Sequence, residues 1–189
     1  MSRAYRITVK ESLQRDLSAS DEVCSGLEIL EILPPEQMAE LLRGELKGRG
    51  FHDEDERLVR RENGVSVTVD PKTGEVSVKA ETCDSVDLKA ERDDWGYDDI
   101  GPGEGIIRQR AQEHLKQDLE RRASQQQARL QTEATEKLEG QLDDVRKELG
   151  KAVNRVTAEA LKRKAHSLGQ VKEMTEDPET GSLTIKVEV

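Results

Sequence analysis

Apolar and polar residues alternate along several stretches in the first half of the chain, the pattern of half-buried β-strands. Residues 4–10 alternate in this way, and residues 23–33 form the most apolar stretch, interpreted as a second strand although its length also fits a helix. Val65–Val69 and Val76–Ala80 alternate on either side of Asp70-Pro-Lys-Thr-Gly74, a sequence that favours a tight turn. The strands Val65–Val69 and Val76–Ala80 are predicted to form a β-hairpin.

A short helix is predicted over residues 35–47. Proline is tolerated in the first helical turn, so Pro34 and Pro35 end the apolar stretch and open the helix. Its apolar residues recur at helical spacing, and Gly48 and Gly50 follow its end. A short strand near Leu58 leads to Asn63-Gly64, a strong hairpin dipeptide.

A much longer helix is predicted over residues 106–168, which contain no proline and are rich in strong helix formers. As a straight helix this stretch would be about 95 Å long. Its apolar residues recur mostly every fourth position, which favours a straight helix or a right-handed drift over a left-handed supercoil. Their stripe is narrow and includes Leu115, Leu119, Leu130 and Leu138, which are candidate partner-binding residues.

The stripe needs a surface to pack on, because helices in water are stabilised mainly by burying an apolar face. An intermolecular coiled coil, a helical hairpin folded at Gly140 or Gly150, and docking onto another protein all provide one. We favour the hairpin, since it would bring the end of the chain back to the first sheet.

The end of the chain repeats the hairpin sequence. Residues 177–188 are identical to residues 70–81 at six of twelve positions. Convergence on a favoured turn would explain the similarity, and so would an internal duplication or a swapped strand. An isolated hairpin is marginal in water, so the last strand is predicted to return to the first sheet or to enter a partner's sheet.

These elements predict an α+β fold with a small antiparallel sheet, one short helix, and a long helical arm or helical hairpin. The domain boundaries follow from composition: an α+β body (1–92), an acidic Gly/Pro linker (93–105), the arm (106–168) and a C-terminal β-hairpin or strand (169–189).

Composition excludes several functions. The body carries 14 basic and 20 acidic residues (net −6), and the basic residues of the arm are interleaved with acidic ones, which argues against nucleic-acid binding. No apolar run is long enough for a membrane span and no signal peptide is visible, so we expect a cytoplasmic protein. Cys24 and Cys83 are too far apart in sequence for a metal knuckle, and no cofactor, metal site or catalytic constellation is predicted.

The predicted linker carries the best candidate site. It contains Trp95 and Tyr97, half of the aromatic residues, next to Asp98 and Asp99. Aromatic residues that are not needed in a core often anchor a protein partner, here one with a basic groove. The alternatives are that both rings cover the body's core, or that these aspartates hold a hard cation together with Asp93 and Asp94.

Three stretches carry a resemblance to a known family: MSRAYRITVKESL, LEILEILPPEQMAELL and VTVDPKTGEVSVKAE. Within residues 1–90 they resemble a bacterial accessory domain of ternary systems that combine an FtsH-type AAA protease, a von Willebrand A protein and a MoxR-type AAA ATPase. The resemblance implies a non-enzymatic subunit that works with those proteins, with conflict with phage as one setting, and it transfers no functional residues.

We therefore predict an adaptor protein, not an enzyme, that binds protein partners through the arm and the acidic-aromatic linker, with a homo-oligomer as one outcome. The alternative is a metal-dependent enzyme or effector whose site forms only in a complex.

Overall fold

A computed structural model describes residues 3–97, 101–176 and 183–188 of the chain. The predicted α+β class is confirmed. The elements in chain order are β1 (Ala4–Gly26), α1 (Pro35–Lys47), β2 (His52–Glu54), β3 (Arg57–Glu62), β4 (Val65–Val69), β5 (Glu75–Tyr97), α2 (Glu104–Leu168), β6 (Gln170–Glu176) and β7 (Leu183–Glu188).

The strands form two sheets. The first is a five-stranded antiparallel sheet in the order β1-β5-β4-β3-β2, and β6 and β7 pair in a second sheet of their own. The chain divides into two compact units. We call residues Met1–Ser20 with Glu81–Thr135 the ribbon unit, and residues Asp21–Ala80 with Glu136–Val189 the core unit.

Turn chemistry sets the register of the strands in the core unit. Asn63 and Gly64 both have positive φ, at 52° and 77°, as a two-residue hairpin turn of type I′ requires, and they join β3 to β4. In the next turn, the Asp70 carboxylate accepts hydrogen bonds from the backbone N–H groups of Lys72 (2.8 Å) and Thr73 (3.3 Å). Gly74 supplies the left-handed residue at φ 75°. Both predicted hairpin turns are confirmed.

The core unit contains the largest hydrophobic cluster. Its 17 buried residues come from α1, from β3, β4 and β5, from Phe51, and from the half of α2 that follows Glu136. Leu42 and Leu46 of α1 are fully buried, and the helix matches its predicted bounds of 35–47. Arg60 packs over the Phe51 ring at 4.8 Å and forms a bidentate ion pair with Glu148 of α2, at 2.8 and 2.7 Å.

The ribbon unit is thinner, because it contains only the first part of β1, the second part of β5 and the first half of α2. Alternate residues of each strand face the helix: Ile7 and Val9 of β1 pack with Ala111 and Leu115 of α2. A second small cluster joins Leu17, Ala19 and Leu130. The opposite face of these strands is polar and exposed.

Both long strands extend beyond the lengths predicted for them. β1 continues through residues 11–22, for which no strand was predicted, and ends at Gly26, while residues 27–33 form no strand, contrary to the prediction for residues 23–33. Asp93–Tyr97 end β5 and are not part of a linker. Polar residues in these segments alternate with small or apolar ones, which lets α2 cover one face while the other stays in water.

Two predictions about the second half of the chain are wrong. α2 is a single helix that continues through Gly140 and Gly150, so there is no helical hairpin, and its apolar stripe is buried on strands of the same chain. Within the described residues, the last strand pairs with β6 and does not return to the first sheet. A continuous helix can replace the hairpin because each internal glycine costs only about 1 kcal/mol.

Candidate protein-interaction site

Trp95 and Tyr97 lie near the end of β5 on the face of the strand that points away from α2. Their side chains are 63% and 54% exposed, respectively. Gly96 between them is buried, and a Cβ atom at this position would come within 2.5 Å of the Tyr5 ring. The Tyr5 ring therefore packs on one face of β5, and the rings of Trp95 and Tyr97 lie on the other face. The alternative that Trp95 and Tyr97 cover the core is not what the structure shows.

Two of the acidic residues before Trp95, Glu91 and Asp93, are paired with basic residues of β1. Asp93 accepts hydrogen bonds from the Arg6 guanidinium and, at 2.6 Å, from the Thr8 hydroxyl. Lys10 pairs with Glu91 at 3.1 Å. The hydrogen bond from Arg6, followed by that from Thr8, holds the pKa of Asp93 below its usual value, and the same contact raises the pKa of Arg6. The negative charges of Glu91 and Asp93 are thus compensated within the protein.

The cation site considered in the sequence analysis is not assembled by the residues that the structure describes. Asp93 and Asp94 are adjacent in a strand, so their side chains point to opposite faces. Asp94 pairs with Arg92 at 3.2 Å. Asp98 and Asp99 lie outside the described residues. Elsewhere in the described parts of the chain, no group of three or more His, Cys, Asp or Glu side chains is placed to hold a metal ion.

The four leucines predicted to bind partners are inside the protein. Leu115, Leu119 and Leu130 are 6%, 2% and 5% exposed in the ribbon unit, and Leu138 is 2% exposed in the core unit. A partner could reach them only if α2 separated from the strands beneath it. Of the predicted site residues described by the structure, only Trp95 and Tyr97 are accessible.

Sequence reasoning missed the polar contacts by which α2 holds the ribbon. Gln127 and Gln131 donate from their amides to the carbonyl oxygens of Ser18 (2.6 Å) and Ser20 (3.1 Å) at the edge of β1. The buried Thr82 hydroxyl donates to the Leu130 carbonyl at 3.0 Å. The available signal was the glutamine-rich stretch around Gln125–Gln127, which we interpreted only as helix-forming sequence.

One of the concavities beside α1 is lined by no nucleophilic side chain. It has a volume of about 320 Å³, lies in the core unit, and is bordered by Leu41, Gly44 and Val156 and by acidic and arginine side chains. Two of its arginines are paired, Arg155 with Glu45 and Arg163 with Glu159. No serine, cysteine or histidine lines it.

Neither described helix is both long and apolar enough to cross a bilayer.

A family model matches this chain, whereas no curated protein and no solved structure does. The family described as FtsH ternary system domain X5 matches residues 1–189, which extends the resemblance noted for residues 1–90. The protein therefore belongs to the family of FtsH ternary system domain X5, a component of these systems.

Proposed function

We propose that this chain is a non-enzymatic adaptor subunit of an FtsH ternary system, and that it binds a protein partner through Trp95 and Tyr97. The observation that supports the proposal is that both rings are exposed. The Tyr5 ring already packs on Gly96, so neither exposed ring is needed to cover that face of β5. Exposed tryptophan and tyrosine side chains are enriched among the residues that dominate protein–protein binding energy.

The partner surface expected here is apolar, with acceptors for the indole N–H and the tyrosine hydroxyl. The ion pairs of Asp93 with Arg6 and of Glu91 with Lys10 would form a polar rim beside the rings. Asp98 and Asp99 follow in the sequence with no basic residue before Arg108, so basic side chains at the partner's rim would complement the site.

The partner candidates are the other proteins of the ternary system: the MoxR-type AAA ATPase, the FtsH-type AAA protease and the von Willebrand A protein. Each is purified and its affinity for the immobilised chain measured by interferometry. Replacing both rings (Trp95→Ser with Tyr97→Ser) should weaken binding of the true partner at least tenfold, as expected when anchoring aromatic residues are lost.

Leu30→Ser provides the matched control. Leu30 is 63% exposed, the same fraction as Trp95, but belongs to the core unit. It should leave the affinity unchanged. Equal affinity of the wild-type chain and the Trp95/Tyr97 variant for every partner that binds would refute the proposed site.

A further inference from the structure

The C-terminal hairpin lacks a core. In the part of the chain that the structure describes, β6 and β7 form a sheet with no third strand, and Leu183, Ile185 and Val187 are only half-buried. Among the described residues, none of these three belongs to a buried hydrophobic cluster. A two-stranded hairpin is at best marginally stable in water, so another strand or surface is needed to stabilise it.

The ribbon unit also lacks a strand. The pairing of β4 with β5 ends at Val65 and Ala80, so from Cys83 onward β5 has β1 on one side and no described strand on the other. Val86, Leu88 and Ala90 face α2 along this open edge and are half-buried. Open edges are templates for adding another strand.

The sequence of β7 matches a strand that this sheet already accommodates. Residues 177–188 are identical to residues 70–81 at six of twelve positions, and Leu183, Ile185 and Val187 correspond to Val76, Val78 and Ala80. The latter three are buried residues of β5. The hairpin therefore has the alternation required to continue the sheet along β5.

We propose that the C-terminal hairpin of a second copy of this chain adds β7 to the open edge of β5 in the ribbon unit. The inference goes beyond the proposed function and uses residues other than Trp95 and Tyr97. Each copy carries this hairpin and the open edge of β5, so reciprocal exchange between two copies would satisfy both.

The backbone pattern sets the direction of the added strand. The Glu75 carbonyl accepts a hydrogen bond from the Asp70 N–H on the β4 side of β5, so the backbone groups of odd-numbered β5 residues point to that side. Beyond Ala80, where β4 has ended, the same side is the open edge. In β7, the Glu188 carbonyl faces Gly169 before β6, which leaves odd-numbered residues facing outward. Antiparallel addition would put the apolar side chains of β7 on the polar face of β5. Parallel addition would put them on the face that packs against α2, beside the apolar residues of β5.

Charge then selects the register. With Lys186 of the second copy beside Asp87, its Glu188 lies beside Lys89, and Ile185 and Val187 lie beside Val86 and Leu88. A shift by two residues in one direction puts Lys186 beside Lys89, and in the other puts Glu188 beside Asp87, so both bring like charges together. The one mismatch in the favoured register is Leu183 of the second copy beside Asp84.

A charge-reversal pair tests the proposal. The full-length wild-type chain should self-associate with a concentration-dependent mass in sedimentation equilibrium. Asp87→Lys and Lys186→Glu should each weaken association at least about tenfold, because each places like charges side by side. An equimolar mixture of the two variants restores opposite charges at both contacts, and its association should return to the wild-type level.

The control variant is Lys172→Glu. Lys172 pairs with Glu188 inside the hairpin at 2.6 Å, just as Lys186 pairs with Glu173. This substitution removes one internal ion pair but changes no residue of β7 or β5, so association should be retained. Circular dichroism confirms that each variant is folded. A wild-type mass of one chain at all concentrations, unchanged association of both charge variants, or failure of the mixture to associate would each overturn the proposal.

Discussion

The core unit and the ribbon unit are stabilised in different ways. The core unit buries 17 hydrophobic residues in one cluster that includes Phe51, Leu42 and Leu46. The ribbon unit has two clusters of four and three buried residues. Because hydrophobic stabilisation grows with the apolar area removed from water, far less of it is available to the ribbon. Hydrogen bonds from side chains of α2 to the backbone of β1 add stabilisation of another kind to the ribbon unit.

This contrast predicts unequal local stability. Segments with few buried apolar contacts open at lower free energy than a packed core. The ribbon unit carries the exposed rings and the open edge of β5. The proposed aromatic site and the proposed acceptor edge of β5 therefore both lie in the unit with less hydrophobic stabilisation.

The largest effect is expected from truncation in the core unit. Leu46→Ala removes a side chain that is fully buried between α1 and the sheet. The free energy of unfolding should fall by about 3 kcal/mol through lost burial and the cavity left behind. Urea denaturation followed by circular dichroism measures the change. Leu30→Ala, at a residue that is 63% exposed, is the control and should change stability by less than about 0.5 kcal/mol.

A smaller and more local effect is expected at the edge of the ribbon. Gln127→Ala combined with Gln131→Ala removes the two amides bound to the Ser18 and Ser20 carbonyls. Each lost hydrogen bond should reduce stability by about 1 kcal/mol. Hydrogen exchange should speed up in the ribbon unit more than in the core unit. Gln125→Ala is the control, and equal acceleration in both units would contradict the comparison.

Sequence reasoning succeeded where a local signal determines the structure. The proline start of α1, the Asn63-Gly64 turn and the Asp70–Gly74 turn all depend on neighbouring residues. It failed for the second halves of β1 and β5, because strands that bury one thin face against a helix are rich in serine and charged residues. The continuity of α2 was missed because the surface that stabilises it comes from strands far away in the sequence.

The candidate site shows the same limit. The special character of Trp95 and Tyr97 was visible in the sequence, since aromatic residues are scarce and these two stand outside every apolar stretch. The compensation of Asp93 by Arg6 was not visible, because the two residues are 87 positions apart and meet only when β1 lies beside β5. Long-range pairing of this kind carries no local pattern.

A still smaller effect is expected at Gly96, where the ribbon depends on close contact. Gly96→Ala places a methyl group against the Tyr5 ring and should reduce stability by about 1 kcal/mol, since the ring must move from the strand. Chemical denaturation gives the magnitude, and near-ultraviolet circular dichroism reports the movement of the ring. Gly103→Ala is the control, because no atom lies within 4 Å of the position its Cβ would take. An equal loss in both variants would show that close packing is not the cause.

The smallest effect is the pH dependence contributed by Asp93 in the ribbon unit. Its pKa is lowered in the folded state by the Arg6 hydrogen bond, so the stabilisation is complete above the unfolded-state pKa of about 3.9 and is lost as the pH falls through the folded value. Asp93→Asn should therefore lose less stability than wild type when the pH is lowered from about 5 towards 2. The difference will be small because the Arg6–Asp93 pair lies at the protein surface, where solvent screens the charges. Thermal unfolding across this range measures it, with Asp16→Asn on the same polar face as the charge control. Parallel pH profiles for wild type and Asp93→Asn would mean that the Arg6–Asp93 pair does not stabilise the ribbon in solution.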